Sequence, residues 1–389
     1  MLKQPAMIAV LAFVLSGTTV PARATSERCT KPSCKGTLVY IGTQGSGPGQ
    51  GIFAARLDPE KGRLTGLGLV AEVERPTWLS RDPQAPIVFS VSETGNDGKS
   101  QGGVLSFAVD VETGMLRLIS KVSSGGGGAT HLAFDRRLAS LFVANYGTGD
   151  VSAIPVGHDG VLAAISSTQS NFGSGPSRRQ QGPHAHGVTV DPTGGFVLSP
   201  DLGADRVFVY RFDRTNGSLS PGSPPFIQLP PVSGPRHLVF SPSGRLAFLV
   251  TELSAELYSF SWDAKTGRLE QVGRIALDAP DFTGTKSAAE LSISRDGRFL
   301  YVSDRGANTL RVYASDEMNG TLRAIQTTDC AGQSPWSFAI DPSGRWLLVA
   351  NQASSNLAVF EVDQETGKLA ATGTSISVPK PVAITFFAQ

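Results

Sequence analysis

Two of the chain's five histidines sit two residues apart, in the run RRQQGPHAHG from Arg178 to Gly187. A neutral imidazole accepts a proton near physiological pH, and a guanidinium holds a carboxylate or a developing oxyanion bidentately. Arg179, His184 and His186 bring both functions together in one short stretch. Arg236-His237 repeats the pairing, and Glu252, Glu290, Asp201 and Arg305 add charged groups downstream. A His or Glu that draws a proton from water, beside arginines that stabilise an oxyanion, is equipment for ester hydrolysis. A lactone needs no covalent nucleophile, so it suits this set. Other chemistries fit less well. His184-x-His186 would place two imidazoles on one face of a strand, but no convincing third metal ligand lies at short range. No metal and no cofactor is therefore expected. Gly98-Lys99-Ser100-Gln101-Gly102 matches G-x-S-x-G, yet it lies between two strands and not at the strand-to-helix elbow that a serine nucleophile requires. No phosphate-binding glycine motif follows a strand and opens a helix.

The elements that must carry these residues are repeats. A turn phrase ending in Gly-x-Leu occurs as DPEKGRL, DVETGML, GHDGVL, DRTNGSL, DAKTGRL, DEMNGTL and DQETGKL. Its leucines, from Leu64 to Leu369, are spaced by 52, 46, 57, 50, 53 and 47 residues. Asp or Asn beside Gly supplies the positive φ of a tight hairpin, so each copy is a hairpin tip. Between tips run β-rich phrases such as SPSGRLAFLVTELSAELYSFSWD (241–263) and DPSGRWLLVANQASSNLAVFEVD (341–363). A further strand precedes each, as in HLAFD, HGVTVD, HLVFS, ELSIS and SFAID. No helical periodicity lasts beyond a turn. Four short strands per period of about 50 residues predict an all-β fold, a seven-bladed β-propeller of four-stranded antiparallel blades. TLVYIGT, after Lys35, lacks a first strand, and the closing PVAITFF (381–387) lacks a second. The two ends should complete one blade and close the ring. One domain over 36–389 is expected, after a short segment, 25–35.

Lys3, the apolar run Ile8 to Leu15 and Ala22-Arg23-Ala24 read as a secretory signal peptide over 1–24. No later stretch approaches the roughly 20 apolar residues of a membrane helix. The chain is expected to be periplasmic or secreted, monomeric, and not inserted in a membrane. Removing 1–24 takes away Lys3 and Arg23, leaving 32 basic against 33 acidic residues. No basic patch stands out, which argues against nucleic acid as a partner. Cys29 and Cys34 are spaced for a small disulfide loop in an oxidising compartment, and Cys330 is a competing partner for either.

A repeat also sorts polar residues. Those found in every copy are most simply structural, and those found in one copy require another reason. Asn145 and Asn351 recur as turn caps. Glu93, Glu252 and Arg305 are larger than a turn needs and should gather at one mouth of the channel. Aligned on the Asp or Ser that ends each inner strand, one position carries His131, His237 and Glu290, with His186 one residue earlier in its copy. These groups converge on the axis, where unpaired buried polar atoms cost free energy. The gap of 57 residues is the longest and holds the Arg178–Gly187 run, an insertion at one mouth.

These phrases carry a family resemblance. LVYIGT, ANYGTGDVS (144–152), RQQGPHAHGV (179–188), DLGADRVFVYRFD (201–213), GPRHLVFSPSG (234–244), SRDGRFLYVSDRG (294–306) and ANQASSNLAVF (350–360) resemble the β-propeller lactonases of the 6-phosphogluconolactonase type, related in fold to the fungal muconate cyclases. The resemblance spans nearly the whole mature chain. It implies hydrolysis of a sugar-acid lactone, with a small-molecule lactone as the partner. It also implies a site of Arg179, His184, His186, Asp201, Arg236, His237, Glu252, Glu290 and Arg305. His186 or Glu252 would activate water, Arg236 and Arg305 would bind the carbonyl oxygen or an anionic substituent, and Arg179 and His184 would gate the mouth. Ser334-Pro335-Trp336-Ser337 departs from the family, which often has Arg after that Pro. Export also sits poorly with a cytoplasmic sugar phosphate, so an unphosphorylated aldonolactone is a second candidate. The alternatives are a propeller that only binds a carbohydrate or protein, and a cyclase-like lyase.

Overall fold

In all seven hairpin tips the glycine adopts a left-handed φ, between 64° and 83°. A side chain there is strained. At Gly267 a Cβ would also lie 2.3 Å from the Phe196 ring of the preceding blade. The tips therefore do two things: they reverse the chain and they seat each blade on its neighbour.

The computed structural model describes residues 1–2 and 36–387. Apart from its first two residues, the expected signal peptide lies outside the described residues, as does the Cys29–Cys34 loop. The described chain forms seven four-stranded antiparallel sheets in a ring, with no helix among the described residues. Blade 1 begins at Thr37. Blades 2 to 7 begin their inner strands at Leu79, Ala129, Thr189, Pro235, Ala288 and Pro335. The inner strand of blade 1 is the last of the chain, Pro381–Phe387, paired antiparallel with Thr37–Thr43 so that Ile384 faces Ile41. This pairing completes blade 1 from both ends of the chain and closes the ring.

The second strand of blades 2 to 7 is buried at every residue, as in Leu246–Thr251 and Trp346–Asn351. Blades press on both faces of it, so LAFLVT and WLLVAN read as unbroken apolar runs and do not alternate. The apolar clusters join neighbours: Phe196 and Leu198 of blade 4 pack with Tyr258, Phe260 and Trp262 of blade 5. Each such side chain contributes roughly 1.5–3 kcal/mol by leaving water. The outer strands are largely exposed instead, as in Leu369–Ser377, where only Leu369 is buried.

Blade 4 is irregular. Its inner strand is only Thr189–Val190, and residues 171–188 before it are a loop in which Ala185 makes a single bridge to Asp201. The expected strand over 186–191 is thus shorter than its sequence suggests, and His184 and His186 do not stand on one strand face.

Candidate active site

The inner strands share one irregularity. In blades 1, 3, 5, 6 and 7 the register slips near the start, at Val382, Thr130, Arg236, Ala289 and Trp336. One hydrogen bond marks the same position in all seven blades. The residue after the second strand donates its N–H to the carbonyl two residues before the slip, at 2.7–3.1 Å, as in Glu252 to Gly234 and Leu202 to His184. By this bond Thr77 of blade 2 and His186 of blade 4 occupy the position of Arg236. A bulge re-aims a side chain out of the alternating pattern. Here it turns one residue per blade toward the axis.

Three tiers follow. The bulge tier is His186, Arg236, Ala289 and Trp336 in blades 4 to 7, then Val382, Thr77 and Thr130 in blades 1 to 3. The next residue of each strand makes a lower tier that includes Trp78, His131, His237, Glu290 and Ser337. The residue after each second strand makes an upper tier that includes Gln44, Glu93, Tyr146, Glu252 and Arg305. Together the tiers enclose an axial cavity of about 180 Å³. In the lower tier blade 4 has Gly187, where a Cβ would lie 2.6 Å from the Arg236 carbonyl oxygen. Glycine there lets blades 4 and 5 approach closely beneath the cavity.

Glu252 is the electrostatic centre. Its Oε1 accepts from Arg179 Nη1 at 2.5 Å, and its Oε2 accepts from Arg236 Nε at 3.0 Å and pairs with Arg305 Nη2 at 2.8 Å. His186 Nε2 lies 3.7 Å from the same Oε2. Burial alone would push the Glu252 carboxyl up, but Arg305, Arg236 and Arg179 together hold it down to about 2. Three guanidiniums converge on one carboxylate, so this side of the cavity carries a positive surplus. Burial and the neighbouring Arg305 lower the Arg236 guanidinium to about 10, which leaves it charged at neutral pH. Burial works against the charge of Arg179, and the Glu252 carboxylate outweighs it and raises that guanidinium above its ordinary value. The Arg305 guanidinium also lies over the Trp336 ring, 4.3 Å from its centroid.

The three axial histidines are held neutral. Burial lowers His186 well below 6.5, helped by Arg236 and His237. Burial does the same for His131 and His237. His186 Nδ1 is buried with no partner among the described residues. His237 Nδ1 lies 2.9 Å from Glu290 Oε1, and Ser337 Oγ donates to Glu290 Oε2 at 3.1 Å. Burial raises the Glu290 carboxyl. The rings of Trp78, His131 and His237 pack together, with centroids 4.1 Å apart for Trp78–His131 and 4.8 Å for His131–His237. They form the floor.

Of the residues singled out from sequence, Glu93, Arg179, His186, Arg236, His237, Glu252 and Arg305 line one cavity. Glu290 stands behind His237 and does not line it. His184 lies outside the lining too: it stacks on Tyr146 at 4.5 Å, and its Nδ1 donates to the Tyr146 carbonyl at 2.7 Å. Asp201 is fully buried away from the cavity, where it accepts from the N–H of His184 and of Ala204 and from Asn171 Nδ2. It fixes the loop that delivers His186. Gln180 has a matching task, since its amide donates to the Leu202 carbonyl and to Asp205 Oδ1, and Asp205 Oδ1 also accepts from Gly234 N. A buried Gln180 thus anchors the inserted loop and aims its neighbour Arg179 at Glu252. Asn145 and Asn351 donate to the Ser124 and Cys330 carbonyls and are structural. Thr77, Trp78, Thr130, Gln44 and Val382 line the cavity without having been singled out, although Thr77-Trp78 follows Pro76 as Arg236-His237 follows Pro235. A larger open cleft of 640 Å³ lies at the far ends of the inner strands of blades 6 and 7 and contains none of these groups.

Residues 38–386 match the family model described as lactonase, seven-bladed β-propeller. The 6-phosphogluconolactonase of Bacillus subtilis (strain 168) is 32% identical over 351 residues, which cover 90% of this chain and 98% of that protein. The periplasmic gluconolactonase of Pseudomonas aeruginosa superposes with a TM-score of 0.85 at 37% identity, covering 90% of this chain and 99% of the other. A structure from Lactobacillus plantarum superposes at 0.84 with 32% identity, covering 90% and 99%. The repeat count and the closed ring agree with these matches, and the chain belongs to the seven-bladed β-propeller lactonase family.

Proposed function

We propose that this lactonase hydrolyses a sugar-acid lactone in the axial cavity, with His186 as general base. The observation that carries the reading is the meeting of a neutral imidazole with a positively charged arginine cluster in one enclosed space. Glu252, held near 2, is a weak base, and its work is to fix Arg179, Arg236 and Arg305. His186 is uncharged at neutral pH and meets the cavity beside Glu252 through Nε2. For Nε2 to accept a proton from water, the ring's own proton has to reside on Nδ1.

In the proposed step a water lies between Nε2 and the lactone carbonyl carbon. His186 takes one proton as the water oxygen bonds to that carbon, and the carbonyl oxygen gains negative charge. Arg236 and Arg305 stabilise that charge. Collapse breaks the ring C–O bond, and the leaving ring oxygen takes the proton back from His186. The product is the open hydroxy acid, and no covalent enzyme intermediate forms. Glu252, 3.7 Å from Nε2, stabilises the transient imidazolium. Arg179 closes the mouth over the ligand, while His184 holds Tyr146 and Asp201 holds the loop. His237 and Glu290 support Arg236 from below.

We place the protein outside the cytoplasm as a monomer. The leader-like sequence of 1–24 and the periplasmic setting of the Pseudomonas relative support export. No helix among the described residues is long and apolar enough to cross a membrane.

The test is proton release from a panel of aldonolactones and their phosphate esters, read above the spontaneous rate. Acceleration on at least one is expected. No acceleration on any would refute the reading.

A further inference from the structure

The cavity has two unlike arcs. Blades 4 to 6 supply His186, Arg236, Glu252 and Arg305. Blades 1 to 3 supply Gln44, Thr77, Glu93 and Thr130. Glu93 and Glu252 occupy the same upper-tier position, three blades apart, as their matching N–H bonds to Arg75 and Gly234 show. Their surroundings differ. Both oxygens of Glu252 are taken by arginines. Glu93 uses only Oε1, which accepts from Arg75 Nη2 at 3.2 Å and from Asn96 Nδ2 at 2.8 Å. Its Oε2 takes no hydrogen bond from any described residue. Nearby, Thr77 lines the cavity and is 94% buried, and its hydroxyl, buried just behind that wall, has no partner among the described residues.

We propose that Glu93 is a specificity residue: with Thr77 it binds the hydroxyl groups at the non-reacting end of the lactone, and it turns away a phosphate there. The proposal rests on the lactonase reading and adds the substrate class, an unphosphorylated polyhydroxy lactone. A carboxylate with a free oxygen accepts short, charge-assisted hydrogen bonds from hydroxyls. A phosphate ester brings only acceptors, with a charge of about −1.5 to −2. In this arc it would meet a carboxylate, and the Arg75 guanidinium beside it is already engaged with Glu93 through both its side-chain and main-chain oxygens. At about 180 Å³ the cavity falls below the roughly 300–1,000 Å³ of pockets for larger ligands. A single sugar ring therefore reaches both arcs at once. With its carbonyl at Arg236 and Arg305, its far hydroxyls fall on Glu93 and Thr77.

The experiment compares kcat/KM for glucono-δ-lactone and for its 6-phosphate, in the full chain and in Glu93→Gln. The unmodified chain should prefer the unphosphorylated lactone. Glu93→Gln should shift that preference toward the phosphate ester by about tenfold or more, mainly through KM, since opposed like charges are strongly disfavoured. The ratio of the two substrates cancels any loss of folded protein. Thr77→Val should raise KM for the unphosphorylated lactone. A preference for the phosphate ester in the unmodified chain, or a ratio unmoved by Glu93→Gln, would overturn the proposal. Calorimetric binding of gluconate and 6-phosphogluconate reads the same preference without turnover. Inactivity on both lactones would thus sink the catalytic reading alone, while the binding ratio still decides the role of Glu93.

Discussion

The outer hairpin tips and the inner bulges are built by the same seven repeats, yet they have opposite sequence statistics. At the tips every copy keeps glycine, with the same left-handed φ. At the bulges the copies carry Thr, Thr, His, Arg, Ala, Trp and Val. The tip has one demand, to reverse the chain and seat on a neighbour, and each blade meets it alike. The bulge has no such demand, because its side chain leaves the sheet and enters the axial space. Its identity is free to vary with the chemistry of the cavity. In this ring, uniformity marks the scaffold and variation marks the site.

That contrast is open to attack at both ends. The largest effect is expected at the bulge of blade 4. His186→Ala should lower kcat by about 10²- to 10⁴-fold, followed as lactone-dependent proton release. A rate within a few-fold of the unmodified chain would remove His186 as the base and break the link between variation and chemistry. Next is Glu252→Gln. Removing one partner of a buried charge network costs about 3–5 kcal/mol, because Arg236 stays buried and charged without its carboxylate. The denaturant midpoint should fall accordingly.

Acid should act on the same region through linkage. The buried histidines have lowered values in the fold, so below about pH 6.5 the unfolded chain takes up protons that the folded chain refuses. Glu252 adds a second decline, with its stability present above its ordinary 4.5 and lost as pH falls toward about 2. Stability should therefore weaken from pH 6.5 downward, while the rate stays level until well below 6.5, since His186 remains neutral. An acid limb of kcat/KM centred at 6.5 would contradict the assignment. The smallest effect belongs to the rim. Gly267→Ala should cost about 1–2 kcal/mol from its left-handed φ, plus the encroachment on Phe196, read as a lower midpoint with kcat unchanged.

The fold was legible because its signals are local and repeated. Gly-x-Leu tips, apolar runs and the half-blades at the two ends fix blade number and closure without any long-range knowledge. The cavity was only partly legible. Alignment on the residue that ends each inner strand brings His131, His237 and Glu290 together and sets His186 one residue earlier, level with Arg236, where the structure also has it. What a strand pattern does not display is the bulge that turns this level toward the cavity, with Gly187 next to it where blades 2, 3 and 5 have Trp78, His131 and His237. Asp201 looked like a ligand group because it is charged and sits where Glu252 and Arg305 lie, one residue on. Its oxygens are instead spent on the loop backbone. Thr77 and Trp78 escaped notice because neither is a conventional catalytic residue, although the Pro before them marks the same register as Pro235 and Pro335.

The closing pair of strands has a consequence for timing. Val382, on the last strand, and Gln44, beside the first, meet in the wall of the cavity. A nascent chain that has made six blades still lacks this wall and has an open seam. Activity is therefore expected only once Pro381–Phe387 pairs with Thr37–Thr43. A chain shortened by that strand should lose activity, even if its remaining blades fold.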